Sequence, residues 1–269
     1  MAREYRQMDS EKVDESSIRE TLLAAKDEIA DLGGVSAFRS GDWLLKLILK
    51  SFRNYSERST AEYFSVKYPS LSREHIAEKL IHVACVNTAM AGGITGAAVS
   101  IDELLALFEF GIGIPANVAV GFTAIAGELL WITKCQLQLV ANLGVLYEVP
   151  LDVDDPEDII TILEFASGGA VRELLGKEVT KISGRLTKTA VRKYVAKEVL
   201  EALQRVARKI GYKLLQQTII SVVVPGVSIV VGALWNKRTT KIVGKKALKH
   251  FEERRRLRTS DESSPSSIK

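Results

Sequence analysis

Residues 81–147 read IHVACVNTAMAGGITGAAVSIDELLALFEFGIGIPANVAVGFTAIAGELLWITKCQLQLVANLGVLY, about a quarter of the chain and nearly free of charge. Between His82 and Asp102 the only ionisable side chain is the thiol of Cys85, and between Glu109 and Glu128 there is none. A helix at the protein surface carries charge on one face every turn or so; helices built from this stretch have no wholly polar side to show water. They are either the central helices of a helical protein or helices lying in lipid.

Small residues punctuate the stretch. Ala89, Gly93 and Ala97 recur every fourth residue, as do Gly92 and Gly96, a spacing that lets a second helix backbone approach closely. Ser72 is placed to cap a long helix running into this segment, and Ser100 with Glu103 matches a capping box for the next. Gly111 to Gly113 and Pro115 then separate that helix from one reaching about Leu146. Two antiparallel hairpins over residues 72–146 are expected as the core.

Working outward, Ile18, Leu22, Leu23 and Ile29 have helical spacing up to Gly33-Gly34, and a second apolar run starts at Trp43. Ser59 and Glu62 predict a short helix ending before Tyr68-Pro69. Downstream, Asp155-Pro156 is an N-cap and first-turn pair for DIITILEFASGG. A basic amphipathic helix follows within residues 171–217, with Val191, Tyr194, Val195, Val199, Leu203, Val206 and Ile210 on one side.

Residues 214–236, LLQQTIISVVVPGVSIVVGALWN, hold no charge over 23 positions, enough at ~1.5 Å per residue to cross a ~30 Å hydrocarbon layer. Pro225-Gly226 interrupts the run, which reads equally as a strand hairpin or a broken helix. A last helix is expected from about Thr239 to Leu257, before a polar tail. The fold expected is therefore all-α: an N-terminal helical extension (1–69), a bundle of apolar hairpins closed over by basic C-terminal helices (70–258), and a disordered tail (259–269).

The 269 residues carry a net charge of +4 that hides an asymmetry. Residues 1–180 hold 16 Lys and Arg against 27 Asp and Glu, whereas residues 181–258 hold 20 against 4. Such a division points to a basic face meeting lipid headgroups, nucleic acid or the chain's own acidic half. The first twenty residues have no apolar segment, so no secretory signal is expected. Cys85 and Cys135 both lie in apolar helices and read as reduced packing residues. A protein facing the cytosol is expected.

The succession HIAEKLIHVA, AGGITGAA, IGIPANVAV, WITKCQLQLVANLGVLYEVPLDVDDPEDI and VVVPGVSIVVGALWNKRTTKIVGKKALKHF resembles the EcsC-like family over roughly residues 70–252. The last part of that pattern is carried by Pro225, Gly226, Asn236, Thr240, Gly244, Ala247 and Phe251. Two positions depart from it. Asn117 stands where the family commonly has an acidic residue, and Leu146-Tyr147-Glu148 where it commonly has Tyr-Gly near the end of that helix. The resemblance implies an all-α, membrane-associated protein of a family named after an accessory component encoded with a bacterial ABC transporter. It implies no catalytic residue.

No catalytic constellation stands out. HExxH, paired CxxC, Walker A and nucleophile-elbow patterns are missing, and AGGITGAA reads as helix packing rather than a phosphate cradle. Glu78, His82 and Cys85 share a helix face with metal-ligand spacing, but such a face is more commonly a transition in packing. No metal or cofactor is expected. Glu128, a carboxylate in an apolar helix, must find a partner, reach a watery edge near Lys134 or sit at the mouth of an apolar cavity.

The candidate contacts to anionic lipid are Arg192, Lys193, Lys197, Lys209, Lys245, Lys246, Lys249, Arg254, Arg255 and Arg256. Gly92, Gly93 and Gly96 are candidates for close helix packing. Without interleaved aromatic residues or a recognition motif, nucleic acid is a weaker partner than a membrane. The function expected is a non-enzymatic accessory protein, peripheral or partly inserted on the cytoplasmic side of a membrane, with a membrane protein as a further possible partner. The alternative is a soluble protein binding lipid or another apolar ligand in a hollow lined by Val118, Phe122, Ile125 and Leu129, with Glu128 at its mouth. A hydrolase around Glu128 or His82 has no constellation behind it.

Overall fold

The computed structural model describes residue 25 and residues 27–56, 61–98, 116–166, 192–223 and 229–263. These are 88% helical and include no strand, which makes the described chain all-α. After a helical segment over 27–31 come α1 (Gly34–Ser40), α2 (Trp43–Ser56), α3 (Ala61–Lys67), α4 (Arg73–Ala98), α5 (Ala116–Leu146), α6 (Pro156–Ala166), α7 (Arg192–Val223) and α8 (Ile229–Ser263).

Local chemistry sets several boundaries. Ser72 Oγ accepts the backbone N–H of His75 at 3.3 Å and caps α4. Asp155 Oδ1 accepts that of Glu157 at 2.9 Å and caps α6, with Pro156 in its first turn. Gly33 and Gly34 have φ of 109° and 67°, and end the first helical segment as their positions in the sequence predict. The capping box at Ser100 and the glycine-proline break at 111–115 lie outside the described residues, as do Pro225 and Gly226.

The core is built on α4, α5 and α8. α8 packs most extensively on α4, which packs in turn on α5. Ile81 and Ala84 of α4, Leu130 and Leu143 of α5, and Val243, Ala247 and Phe251 of α8 are all buried in one cluster. Burying each of the larger side chains stabilises the fold by about 1.5–3 kcal/mol. Gly244 makes the α8 crossing possible, because a Cβ there would lie 2.8 Å from Ile81 Cγ1 and 3.0 Å from Leu139 Cδ2.

Three expectations change. The C-terminal helices do not merely close over a finished core, since α8 is one of its three members. The last helix starts at Ile229, well before Thr239, and α7 runs on to Val223. The uncharged run 214–236 is therefore helical over 214–223 and 229–236, which removes the strand-hairpin reading, while residues 224–228 lie outside the described residues. Finally, the N-terminal segment shares the common core: Phe38, Trp43, Leu44, Leu47 and Ile48 are fully buried in the same cluster, with the Phe38 and Trp43 rings stacked 4.9 Å apart. α1 and α2 pack on α7, and α2 also packs on α5.

Residues Ile125–Leu146 of α5 are long and apolar enough to cross a membrane, but most of that segment is buried inside the protein. It serves as a core helix.

Candidate functional site

α8 has two chemically opposite faces. Asn236, Thr240, Gly244, Ala247 and Phe251, spaced by three or four, all turn inward and are buried. The residues that carry the family-like pattern in this helix are thus packing residues. The polar pair among them forms a seam with α5: Asn236 Nδ2 donates to Glu128 Oε1 at 3.0 Å, and Gln136 Nε2 donates to Thr240 Oγ1 at 3.2 Å. α4 joins from the other side, with Thr88 Oγ1 3.5 Å from the Asn236 carbonyl and Cys85 Sγ 3.5 Å from that of Lys237.

Glu128 is buried in this seam, away from a watery edge, and accepts from the Asn236 amide. Lys134 pairs instead with Glu28. Ile125 and Leu129 are buried in the core cluster, while the side chains of Val118 and Phe122 lie outside the described residues.

The outward face of α8 opens with Leu234 and Trp235, 60% and 58% exposed. Lys237, Arg238, Lys241, Lys245, Lys246 and Lys249 follow, all exposed, and no Asp or Glu appears between Trp235 and Glu252. Ile242 adds a further exposed apolar side chain. Like charges held at i, i+3 and i+4 repel one another by a few tenths of a kcal/mol per pair, so this face gains when an anion comes near.

The end of the helix differs from expectation. Arg254 Nη1 lies 2.6 Å from Asp158 Oδ1, and Asp158 Oδ2 also accepts the backbone N–H of Asp152 at 2.8 Å. Arg255 reaches Glu148 at 3.3 Å, and Arg258 donates to the Glu148 carbonyl at 3.0 Å. Arg254 and Arg255 thus hold α8 to α6 and to the turn after α5. In sequence they look like the neighbouring lysines because their carboxylate partners lie about a hundred residues away.

Arg256 is exposed, and so is Lys209 on α7, where the adjacent Arg208 pairs with Asp42 at 2.8 Å. The side chains of Arg192, Lys193 and Lys197, and the surroundings of Gly92, Gly93 and Gly96, lie outside the described residues. Sequence reasoning missed Lys237, Arg238 and Lys241 as members of the exposed basic face. Their spacing from Trp235 was the available signal.

Both cysteines are free and buried, and burial pushes the Cys135 thiol up to about 12 and raises that of Cys85. Among the described residues no three His, Cys, Asp or Glu side chains are grouped to hold a metal. Glu78 and His82 do lie together, in the wall of a groove of about 570 Å³ along α4 that also includes His75, Lys79, Val83, Val86 and Asn87.

Set beside models of known families, curated proteins and solved structures, the chain matches none of them.

Proposed function

We propose that this chain is a non-catalytic, membrane-associated accessory protein of EcsC-like type that docks on the anionic cytoplasmic leaflet through the α7–α8 end of the bundle. The observation that carries this reading is the order of residues on the open face of α8: Leu234 and Trp235 exposed at its start, then six exposed cations with no intervening acid. Trp and Leu at the tip suit the boundary between headgroups and acyl chains. The lysines and arginine behind them suit the headgroup layer, at about 1 kcal/mol for each charge near the surface. Nucleic acid would engage the cations but would leave Leu234 and Ile242 in water.

The test is flotation of the full chain with vesicles of equimolar phosphatidylglycerol and phosphatidylcholine, beside vesicles of phosphatidylcholine alone. Binding to the first only, weakened by salt and by a Leu234→Ser, Trp235→Ser double substitution, is expected. Equal indifference to both vesicles at low salt would remove the reading.

A further inference from the structure

α8 carries its exposed apolar and basic side chains along its length and not only at its start. Leu234, Trp235 and Ile242 are 60%, 58% and 42% exposed, and Arg238, Lys241, Lys245, Lys249 and Arg256 are exposed with them. At ~100° per residue, all eight fall within a sector of about 120°. The buried Asn236, Thr240, Ala247 and Phe251 occupy the opposite side.

How such a face meets a bilayer follows from lengths. The headgroup layer of one leaflet is roughly 5–8 Å deep. From Arg238 to Lys249 the helix rises about 17 Å, and from Trp235 to Arg256 about 32 Å. An α8 standing on its Trp235 end would hold Arg238 and Lys241 among headgroups. It would leave Lys249 and Arg256 farther off than the ~8 Å at which physiological salt screens a charge. Ile242, about 10 Å behind Trp235 along the axis, would miss the apolar boundary as well. Lying flat brings every one of these side chains to the surface.

The core turns with α8. Asn236, Thr240 and Gly244 meet Glu128, Gln136 and Leu139 in ascending order, so α5 runs parallel to α8. The same stretch of α8 meets Thr88, Cys85 and Ile81 in descending order, so α4 runs antiparallel to it.

We propose that α8 lies in the plane of an anionic bilayer, in contact from Leu234 to Arg256, with Leu234, Trp235 and Ile242 at the acyl boundary and the cations among the headgroups. α4 and α5 then lie along the same plane. Ile125–Leu146 of α5 is long and apolar enough to cross a membrane, but in the docked protein it runs beside the leaflet and does not enter it. The proposal rests on the membrane reading and adds an orientation to it. Glu253 distinguishes the two postures. This exposed acid lies on the same face, 3.9 Å from Lys249, and about 27 Å from Trp235 along the axis. It opposes binding only if α8 lies flat.

The experiment is flotation of the full chain at physiological salt with vesicles of equimolar phosphatidylglycerol and phosphatidylcholine. Arg238→Gln, Lys249→Gln and Arg256→Gln should each weaken binding about fivefold, the change for one charge at the surface. Glu253→Gln should strengthen it about fivefold, a gain that misfolding does not produce. A polarity-sensitive fluorophore on Ile242→Cys should shift to the blue on binding, with the buried Cys85 and Cys135 shielded from the label.

If Arg238→Gln weakens binding while the changes at 249, 253 and 256 have no effect, or if the label at 242 stays in water, α8 does not lie flat. The proposal then falls and the membrane reading stands. A wild-type chain that ignores anionic vesicles even at low salt overturns both.

Discussion

Gly211 of α7 and Gly41 of the turn before α2 meet backbone to backbone: a Cβ on Gly211 would lie 2.5 Å from the Gly41 carbonyl oxygen. In the other direction a Cβ on Gly41 would lie 1.9 Å from the Arg208 carbonyl oxygen, and Gly41 has φ of 83°. The Arg208–Asp42 pair sits beside this crossing. Gly211→Ala gains ~1 kcal/mol of helix propensity. It has to push two backbones apart, however, and a net loss of about 1–3 kcal/mol is expected. Thermal melting, at roughly 2–4 °C per kcal/mol for a chain of this size, would register it; an unchanged or raised midpoint would show that α7 can slide.

The Asn236–Glu128 contact joins α8 to α5 inside the protein. Asn236→Leu removes the donated hydrogen bond to a buried carboxylate and should cost about 1–3 kcal/mol. Adding Glu128→Leu should recover part of that loss, a coupling that a double-mutant cycle in urea would measure. Strictly additive losses would deny the pair any mutual dependence.

Glu148 has φ of 62°, the left-handed conformation that ends α5, with its N–H on the Val145 carbonyl and the next N–H on that of Gly144. Glycine suits that conformation. Arg73 and Arg255 on its carboxylate, at 3.6 and 3.3 Å, offset part of the strain here. Glu148→Gly should therefore leave stability within about 1 kcal/mol of wild type, as relief of strain balances two exposed ion pairs. Glu148→Val, β-branched at positive φ, should be clearly less stable. If the valine variant melted with the glycine one, the backbone conformation would not be what matters.

Arg254 and Arg256 make a paired test of which cations belong to the protein's interior. Asp158 is buried against Arg254, so Arg254→Met should destabilise by about 1–2 kcal/mol, discounted because the guanidinium is partly exposed. Arg256→Met should change stability little and weaken vesicle binding more. Reversed effects in melting and flotation would return Arg254 to the lipid-facing set.

His250 gives the fold a pH dependence. Burial, reinforced by Arg254, lowers the pKa of this imidazole from its ordinary value near 6.5, against the opposing pull of Asp158, Glu164 and Glu253. The Phe165 and Phe251 rings pack against it. The folded state therefore prefers the neutral ring. Its contribution is complete above the ordinary pKa and is lost as pH falls through that value toward the lowered one. Between about pH 7 and pH 5 the melting temperature of wild type should fall more than that of His250→Gln. Parallel slopes would assign the acid sensitivity elsewhere.

What the sequence made legible followed from local signals. Ser72 and Asp155-Pro156 announce helix starts through their own side chains, and the charge-free stretch marks α4 and α5 as interior. The role of α8 was hidden because its inward face is built from Asn236, Thr240, Gly244 and Ala247, small or polar residues that show little apolar periodicity, while six cations dominate its outward face. Glu128 plainly needed a partner, but Asn236 lies 108 residues away, so local spacing could not choose it. Arg254 and Lys249 are alike in sequence and differ only through Asp158, which the fold brings near.

The antiparallel pairing of α4 with α8 also governs how the chain is made. Contacts such as Thr88 to Asn236 and Cys85 to Lys237 span 148 and 152 residues. A ribosome adding ~5–20 residues per second completes α5 some 5–20 s before Phe251 is joined to the chain. During that interval the apolar faces of α4 and α5 lack the helix that buries them, and the long loop they must close slows their assembly. Nascent chains of this protein are therefore expected to need a chaperone, or a nearby membrane surface, until α8 has emerged.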